Sequence, residues 1–301
     1  MIDRYRNYRP AQPIRKPKKK SKFGRYLFLL IILGGLGGFF LKNKLLSEPK
    51  TEVKATQKIK LKPKITAEPI SSDRWDLLAQ QMNILIGENP DLDISVAVID
   101  VDSGTKANYG IQNNFAGAST TKVLTAVAYL NNVENGKYKL TSDGKNQLRL
   151  MLNQSDNTAW ATLNQKIGYA SLNQYAKSIG LSSYDYKQNI ITAGDEALLL
   201  QKLYKRELLN DEHTTMILSD MQNTNNEAML PKIIPEGATI WHKYGQLEDR
   251  LHDAGIINFN DRTIIIVVYT KGGASDGSNY RVRADLVGQF GKTVIDTLYS
   301  L

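Results

Sequence analysis

Between residues 94 and 272 the sequence is β-patterned only at its two ends, and this limits the possible fold more than any other feature. The run ISVAVIDVDSGTKANYG, Ile94 to Gly110, reads as a strand, a turn at Asp102 to Gly104, and a second strand. Three more β-rich runs, ATIWHKYG, HDAGIINFN and RTIIIVVYTKG, follow near the C-terminus and are joined by short turns. The long stretch between them has helical periodicity, which predicts helices from Ser119, near Lys145, and from Asn157, Leu172, Asp195 and Asn210. Gly136, Gly168, Gly180 and Gly194 separate them. A helix over residues 281–301 closes the chain. Strands, then helices, then strands and a helix describe an α+β domain whose sheet is assembled from both ends of the segment.

Upstream, the sequence has three zones. Residues 1–25 hold ten Lys or Arg against the single Asp3. Residues 26–41, YLFLLIILGGLGGFFL, carry no charge and lie between Arg25 and Lys42. At 16 residues the run is shorter than the roughly 20 that cross a bilayer core, so it is either an anchor helped by its flanks or the apolar core of a cleaved signal. No A-x-A-like site follows, which favours an N-terminal membrane helix that stays in place. The basic tail then predicts a cell-membrane protein with its N-terminus cytoplasmic and its C-terminal domain extracytoplasmic. Residues 42–70 hold eight Lys, three Glu and no aromatic residue, as a solvated Lys/Pro-rich linker does.

The tail accounts for +9, equal to the excess of the whole chain, and the linker for a further +5. The remaining residues 71–301 therefore sum to −5, with 21 basic and 26 acidic side chains. The basic charge lies outside the folded part, so the high pI does not indicate a nucleic-acid partner. Cysteine is absent, which excludes disulfides, thiolate metal sites and a thiol nucleophile. No phosphate loop, zinc-ligand spacing or dinucleotide fingerprint occurs, and no metal or other cofactor is implied.

Three Ser-x-x-Lys pairs occur: Ser47 with Lys50, Ser119 with Lys122, and Ser142 with Lys145. The first contains Pro49 and lies in the linker; the last is expected in a polar loop containing Gly144. Ser119 instead precedes the apolar run of Val123, Leu124, Ala126, Val127 and Leu130, so serine and lysine share one face of a first helical turn. A lysine whose pKa is lowered by burial can take the proton of a serine hydroxyl, which is otherwise a weak nucleophile. Taken singly, Ser119 reads as a helix cap, Ser155-Asp156-Asn157 as a turn with a cap, and Lys243 as a solvated strand lysine.

In the order SxxK, SDN and Lys243-Tyr244-Gly245, these residues resemble the three-part signature of class A β-lactamases and penicillin-binding serine hydrolases. The resemblance implies a β-lactamase/transpeptidase-like fold over residues 71–301, with an antiparallel sheet and a helical subdomain. It implies Ser119 as nucleophile, Lys122 as base and Ser155 as proton relay. Asn157 would bind the substrate amide, Lys243 would hold the proton network and a substrate carboxylate, and Gly245 would admit the substrate backbone. The N–H groups of Ser119 and Gln246 would form an oxyanion hole. The implied substrates are β-lactams or peptidoglycan stem peptides.

Three departures qualify this. Tyr244 stands where the family has Thr or Ser. Only 36 positions separate Ser119 from Ser155, so the helical subdomain is reduced. No glutamate lies between Asn157 and Asp195, and the segment from Gly180 to Ile191 is too short for the loop that carries the deacylating glutamate of class A enzymes. Asp185, expected in an exposed turn between Tyr184 and Tyr186, is its only carboxylate. His252 and Asp253 are expected to be hydrogen-bonded structural residues. The alternative is an inactive, membrane-tethered wall-binding scaffold with the same fold.

Overall fold

The computed structural model describes residues 68–273 and 277–299, so the tail, the 26–41 segment and nearly all of the linker lie outside the described residues. No helix among the described residues is long and apolar enough to cross a membrane.

Helix α1 (Ser72–Gly87) leads into strands β1 (Asp93–Asp100) and β2 (Lys106–Gly110). The C-terminal strands are β5 (Thr239–Leu247), β6 (Arg250–Phe259) and β7 (Arg262–Lys271), followed by helix α8 (Gly277–Leu298). The expected sheet is present: five antiparallel strands in the order β2-β1-β7-β6-β5, with β1 and β7 pairing from Asp93↔Lys271 to Asp100↔Ile264. Their alternation divides the interior in two. Val96, Val98, Ile264, Ile266 and Val268 face a layer containing Leu78 and Met82 of α1 and Phe290 and Val294 of α8. Ala97, Ile99, Ile265, Val267 and Tyr269 face the helical subdomain. Near-continuous apolar strands such as RTIIIVVYTK follow from this, since both sheet faces are covered.

The subdomain comprises α2 (Lys122–Glu134), α3 (Ser142–Asn153), α4 (Asn157–Ile167), α5 (Tyr169–Ser178), α6 (Ala193–Tyr204) and α7 (Asp211–Asp220). Helix α2 is buried nearly all round, including Val123, Leu124, Val127, Tyr129 and Leu130. Each such side chain contributes about 1.5–3 kcal/mol on burial, which makes α2 a rigid platform. Side chains of Thr141, Asp156, Thr192 and Asn210 cap four of the helices.

The structure corrects several local expectations. Helix α2 begins at Lys122, not at Ser119, because residues 118–121 form a tighter turn. Ser142 opens α3 instead of lying in a loop, since Thr141 caps the Gly144 N–H. The last helix starts at Gly277. Two two-residue strands, β3 (Phe115–Ala116) and β4 (Ile190–Ile191), pair with each other and were too short to leave a periodic signal. Tyr184 is not exposed but buried in the core.

Candidate active site

Ser119 sits in the turn between β3 and α2. Its predecessor Ala118 has φ +50°, a left-handed conformation that costs a non-glycine residue on the order of 1 kcal/mol. Hydrogen bonds hold the turn in that shape. The Thr120 hydroxyl donates to the Gly117 carbonyl (2.8 Å) and the Thr121 hydroxyl to Asn189 Oδ1 (2.8 Å). Asn189 Nδ2 donates to the Ala118 carbonyl (2.9 Å), and the Asn189 carbonyl accepts from the Gly117 N–H (2.8 Å). His252 Nε2 lies 2.9 Å from the Ala116 carbonyl. Because burial pushes the His252 pKa down to about 4, the ring is neutral and donates to that carbonyl while Nδ1 accepts the Thr270 N–H.

Three residues later Lys122 is almost fully buried. Its amine donates to the Ser155 carbonyl (2.6 Å) and to Asn157 Oδ1 (2.8 Å), and lies 3.4 Å from Ser155 Oγ. Burial lowers its pKa to about 8 against a smaller opposing pull from Asp156.

The sequence Ser155-Asp156-Asn157 divides its labour. Asp156 caps α4 by accepting the Ala159 N–H at 2.7 Å, as the turn-and-cap reading required. Ser155 takes a left-handed φ of +55°, and this brings its hydroxyl, together with the Asn157 amide, to Lys122.

From the opposite side comes β5, an edge strand of the sheet. Lys243, fully buried, donates to Ser155 Oγ (3.0 Å) and to the Tyr244 carbonyl (3.0 Å). Burial and the charge of Lys122 push its pKa well below the usual lysine range, with Asp253 opposing. One serine hydroxyl thus stands between two amines that cannot comfortably both be charged. The Tyr244 ring lies 4.2 Å from the Lys243 amine, and its hydroxyl donates to Asn225 Oδ1 (3.1 Å). Gly245 passes directly over the Ser119 turn: a Cβ there would stand 3.0 Å from the Gly117 oxygen and 3.1 Å from the Ser119 nitrogen. The continuous β5–β6 register sends alternate N–H groups outward, that of His242 to the Met221 carbonyl (2.9 Å) and, two pairs on, that of Gln246.

Below Lys243 lies a buried ionic network that sequence reasoning recognised only in part. Asp253 accepts from His242 Nδ1 (2.9 Å) and from the Leu230 N–H (3.1 Å), and His242 Nε2 meets Glu227 and Thr224, each at 3.1 Å. Burial disfavours the His242 charge, but the carboxylates of Asp253 and Glu227 outweigh it and raise the pKa to about 9. His252 and Asp253 are the hydrogen-bonded structural residues expected. Asn189 and Tyr269, which shape the Ser119 turn together with Thr120, left no local signal, since their partners are distant in sequence.

The competing pairs are excluded differently. Ser47 and Lys50 lie outside the described residues, and Ser142 and Lys145 are exposed on the first turn of α3. Asp185 accepts the Lys187 N–H at 2.7 Å within its own turn. Glu196, the first glutamate after Asn157, is fully buried and faces Tyr184 and Tyr269 in the core.

A family model described as the beta-lactamase enzyme family matches residues 77–146 and 143–298. No curated protein matches the chain. Among solved structures, that of PBP-A is similar at 25% identity and TM-score 0.68, covering 75% of this chain and 97% of that one. A mutant of PBP-A, solved as an acyl-enzyme complex with penicillin G, is 24% identical over the same shares, with TM-score 0.69. The TLA-1 extended-spectrum beta-lactamase is 19% identical, with TM-score 0.67 over 75% of this chain and 99% of that one.

Proposed function

The chain belongs to the beta-lactamase enzyme family, and from that premise we propose that it is a serine acyl-transfer hydrolase in which Ser119 forms an acyl-enzyme with β-lactams or D-Ala-D-Ala-type wall peptides. The observation that carries this reading is the convergence of Lys122 and Lys243 on the Ser155 hydroxyl, with Ser119 one helical turn before the first lysine. Neutral Lys122 removes the Ser119 proton as Oγ attacks the substrate carbonyl, and the oxyanion is met by the N–H groups of Ser119 and Gln246. Ser155 passes a proton to the departing nitrogen and regains one from the lysine pair, so the amide C–N bond breaks and a serine ester remains. Asn157 binds the substrate amide. Lys243 supplies positive potential for a carboxylate when it holds the proton of the lysine pair, as it can while Lys122 is neutral, with Tyr244 drawn aside to Asn225.

Hydrolysis of that ester needs a water and a base. Asp185 is spent on its own turn and Glu196 is walled off by the core. The reduced loop between Gly180 and Ile191 therefore lacks the deacylating glutamate, and we expect acylation to outpace release. Intact-protein mass spectrometry of residues 71–301 with a panel of penicillins and cephalosporins tests this, and a persistent adduct is the expected result. Rapid loss of drug without adduct would overturn slow release. No adduct and no turnover would leave the wall-binding scaffold.

The same proposal places this domain outside the cell, tethered by residues 26–41 and spaced by the basic linker. A Ser71→Cys variant should react with an impermeant thiol reagent on intact cells, and because the chain has no native cysteine, label recovered on this protein comes from the introduced thiol. Protection until lysis would reverse the orientation.

A further inference from the structure

Behind Tyr269, whose hydroxyl meets Thr120 of the Ser119 turn, lies a titratable group the proposed chemistry does not use. Glu196 on α6 is completely buried, and neither carboxyl oxygen completes a hydrogen bond of good geometry. A carboxylate in that position would carry a desolvation cost of several kcal/mol.

No cation among the described residues acts on it. Tyr269 of β7 and Tyr184 of the 179–189 segment present phenols, and Asp195 of its own helix adds a like charge, already bound by the Ser183 N–H and hydroxyl. From β6 the neutral His252 ring stacks on Tyr269, with centroids 4.4 Å apart. Strand β1 contributes Ala97 and Ile99 to the same core. Burial, and secondarily Asp195, raise the Glu196 pKa to about 8, with only the Tyr269 hydroxyl opposing.

The protons can then be counted. Thr120 has one hydroxyl hydrogen, and it goes to the Gly117 carbonyl at 2.8 Å. The 2.8 Å contact between Thr120 Oγ1 and the Tyr269 hydroxyl therefore has the phenol as donor. Tyr269 is left with an oxygen that can only accept, and the polar group whose charge and side chain bear on it is the Glu196 carboxyl, whose buried oxygens have no other partner. A neutral carboxylic acid supplies the missing proton. A carboxylate cannot, and would compete with Thr120 for the phenol hydrogen.

We propose that Glu196 is a positioning residue held as its neutral acid. Its proton sets the direction of a buried relay, Glu196 to Tyr269 to Thr120 to the Gly117 carbonyl, that fixes the turn presenting Ser119. Ionisation of Glu196 pulls the Tyr269 hydrogen away from Thr120 and loosens the turn. Nothing is transferred to substrate. The relay is an orienting chain, and it makes the nucleophile's geometry depend on a group that never meets the substrate.

The sign of the linkage follows. A carboxyl whose folded pKa is raised contributes stability that is fully present below about 4.5 and gone above about 8. Within that window each pH unit shifts the folding equilibrium by about tenfold. Glu196→Gln keeps a neutral donor and removes the proton.

The experiment compares wild type, Glu196→Gln and Tyr269→Phe by denaturant unfolding from pH 4.5 to 9, and by amide hydrogen exchange of the peptide containing residues 115–125. Glu196→Gln should gain stability relative to wild type steadily as pH rises from about 4.5 to about 8. Exchange in the wild-type peptide should accelerate beyond the intrinsic pH dependence above about pH 8, the variant should follow the intrinsic dependence alone, and Tyr269→Phe should be loose at every pH. Parallel stability curves for wild type and Glu196→Gln, or a tight peptide in Tyr269→Phe, would overturn the relay. Both readouts are independent of acylation, so failure to trap an adduct would strike the proposed function and leave this test standing. Where adduct formation is measurable, Glu196→Gln should extend the rate to higher pH, which a residue of merely structural value would not do.

Discussion

Adduct formation at pH 7 should fall to background in Ser119→Ala and by roughly 10²- to 10⁴-fold in Lys122→Met, while Lys122→Met unfolds no more easily than wild type. The two losses have different origins. Alanine removes the attacking oxygen, whereas methionine keeps the volume of Lys122 and removes the amine that must accept the proton. The amine is buried, and burial lowers its pKa to about 8, so the neutral form is available near physiological pH. The wild-type rate should climb with pH up to about 8, as Lys122 loses its proton, and fall beyond it, where Glu196 ionises; Glu196→Gln should show the climb with a plateau. A guanidinium stays charged throughout that range, so Lys122→Arg should show no such climb. Stability changes in the opposite sense to activity. A lysine with a lowered folded pKa opposes folding while it is charged, and the opposition fades as pH rises from about 8 toward 10.5. An uncharged side chain of similar size avoids it. A Lys122→Met variant that still acylates at the wild-type rate would remove Lys122 from the mechanism.

Asp253→Ala should destabilise the domain by about 3–5 kcal/mol at pH 7, the largest loss expected from any single polar substitution here. The carboxylate is fully buried, binds His242 and the Leu230 N–H, and is the inner of two anions that keep His242 protonated. Removing it leaves a cation inside the sheet with only Glu227, about two-fifths exposed, to offset it. The variant thus loses an attraction and keeps the desolvation. His242 has its pKa raised from 6.5 to about 9, so its contribution is fully present below pH 6.5 and lost as pH rises through 9. In Asp253→Asn, which preserves shape, that alkaline loss should flatten. Denaturant curves at pH 6 and pH 9 measure both effects, and a change below about 1 kcal/mol at pH 6 would show the ion pair to be replaceable by its hydrogen bonds alone.

The arrangement of sheet and helices was legible in the sequence because strand and helix periods differ and the strands lie at opposite ends of the domain. Ser119 was legible as the candidate nucleophile because it alone, among three serine-lysine pairs, leads into an apolar helix, and α2 is accordingly the most buried helix of the subdomain. Lys243 and Gly245 were legible from the β-rich run that ends on them. What could not be read was anything closed by distant partners. Asn189 looks like an ordinary turn residue, yet it binds both sides of the Ser119 turn 68 and 71 positions away. Glu196 looks like a solvated residue in the acidic first turn of a helix, and only the packing of α6 on β7 shows it to be buried. Tyr184 was misjudged because tyrosines in a polar, turn-rich segment carry no periodicity that separates a core ring from a surface one. The start of α2 was misplaced by three residues because the hydroxyls of Thr120 and Thr121 bind the carbonyls of Gly117 and Ala118 and tighten the turn ahead of the helix.

The antiparallel pairing of β1 with β7 joins residues as far apart as Asp93 and Lys271. Loop-closure entropy must therefore be met before most native contacts exist to compensate it, which places this chain among slow, high-contact-order folders. Its first strand pair and its helices precede in sequence the strands that cover them. The platform under Ser119 cannot set until Tyr269 and His252 arrive from the C-terminal end. In a chain of this design the Ser119 turn is complete only once β6 and β7 have docked, and any fragment ending before β7 has the motif residues without the Tyr269 contact to their turn.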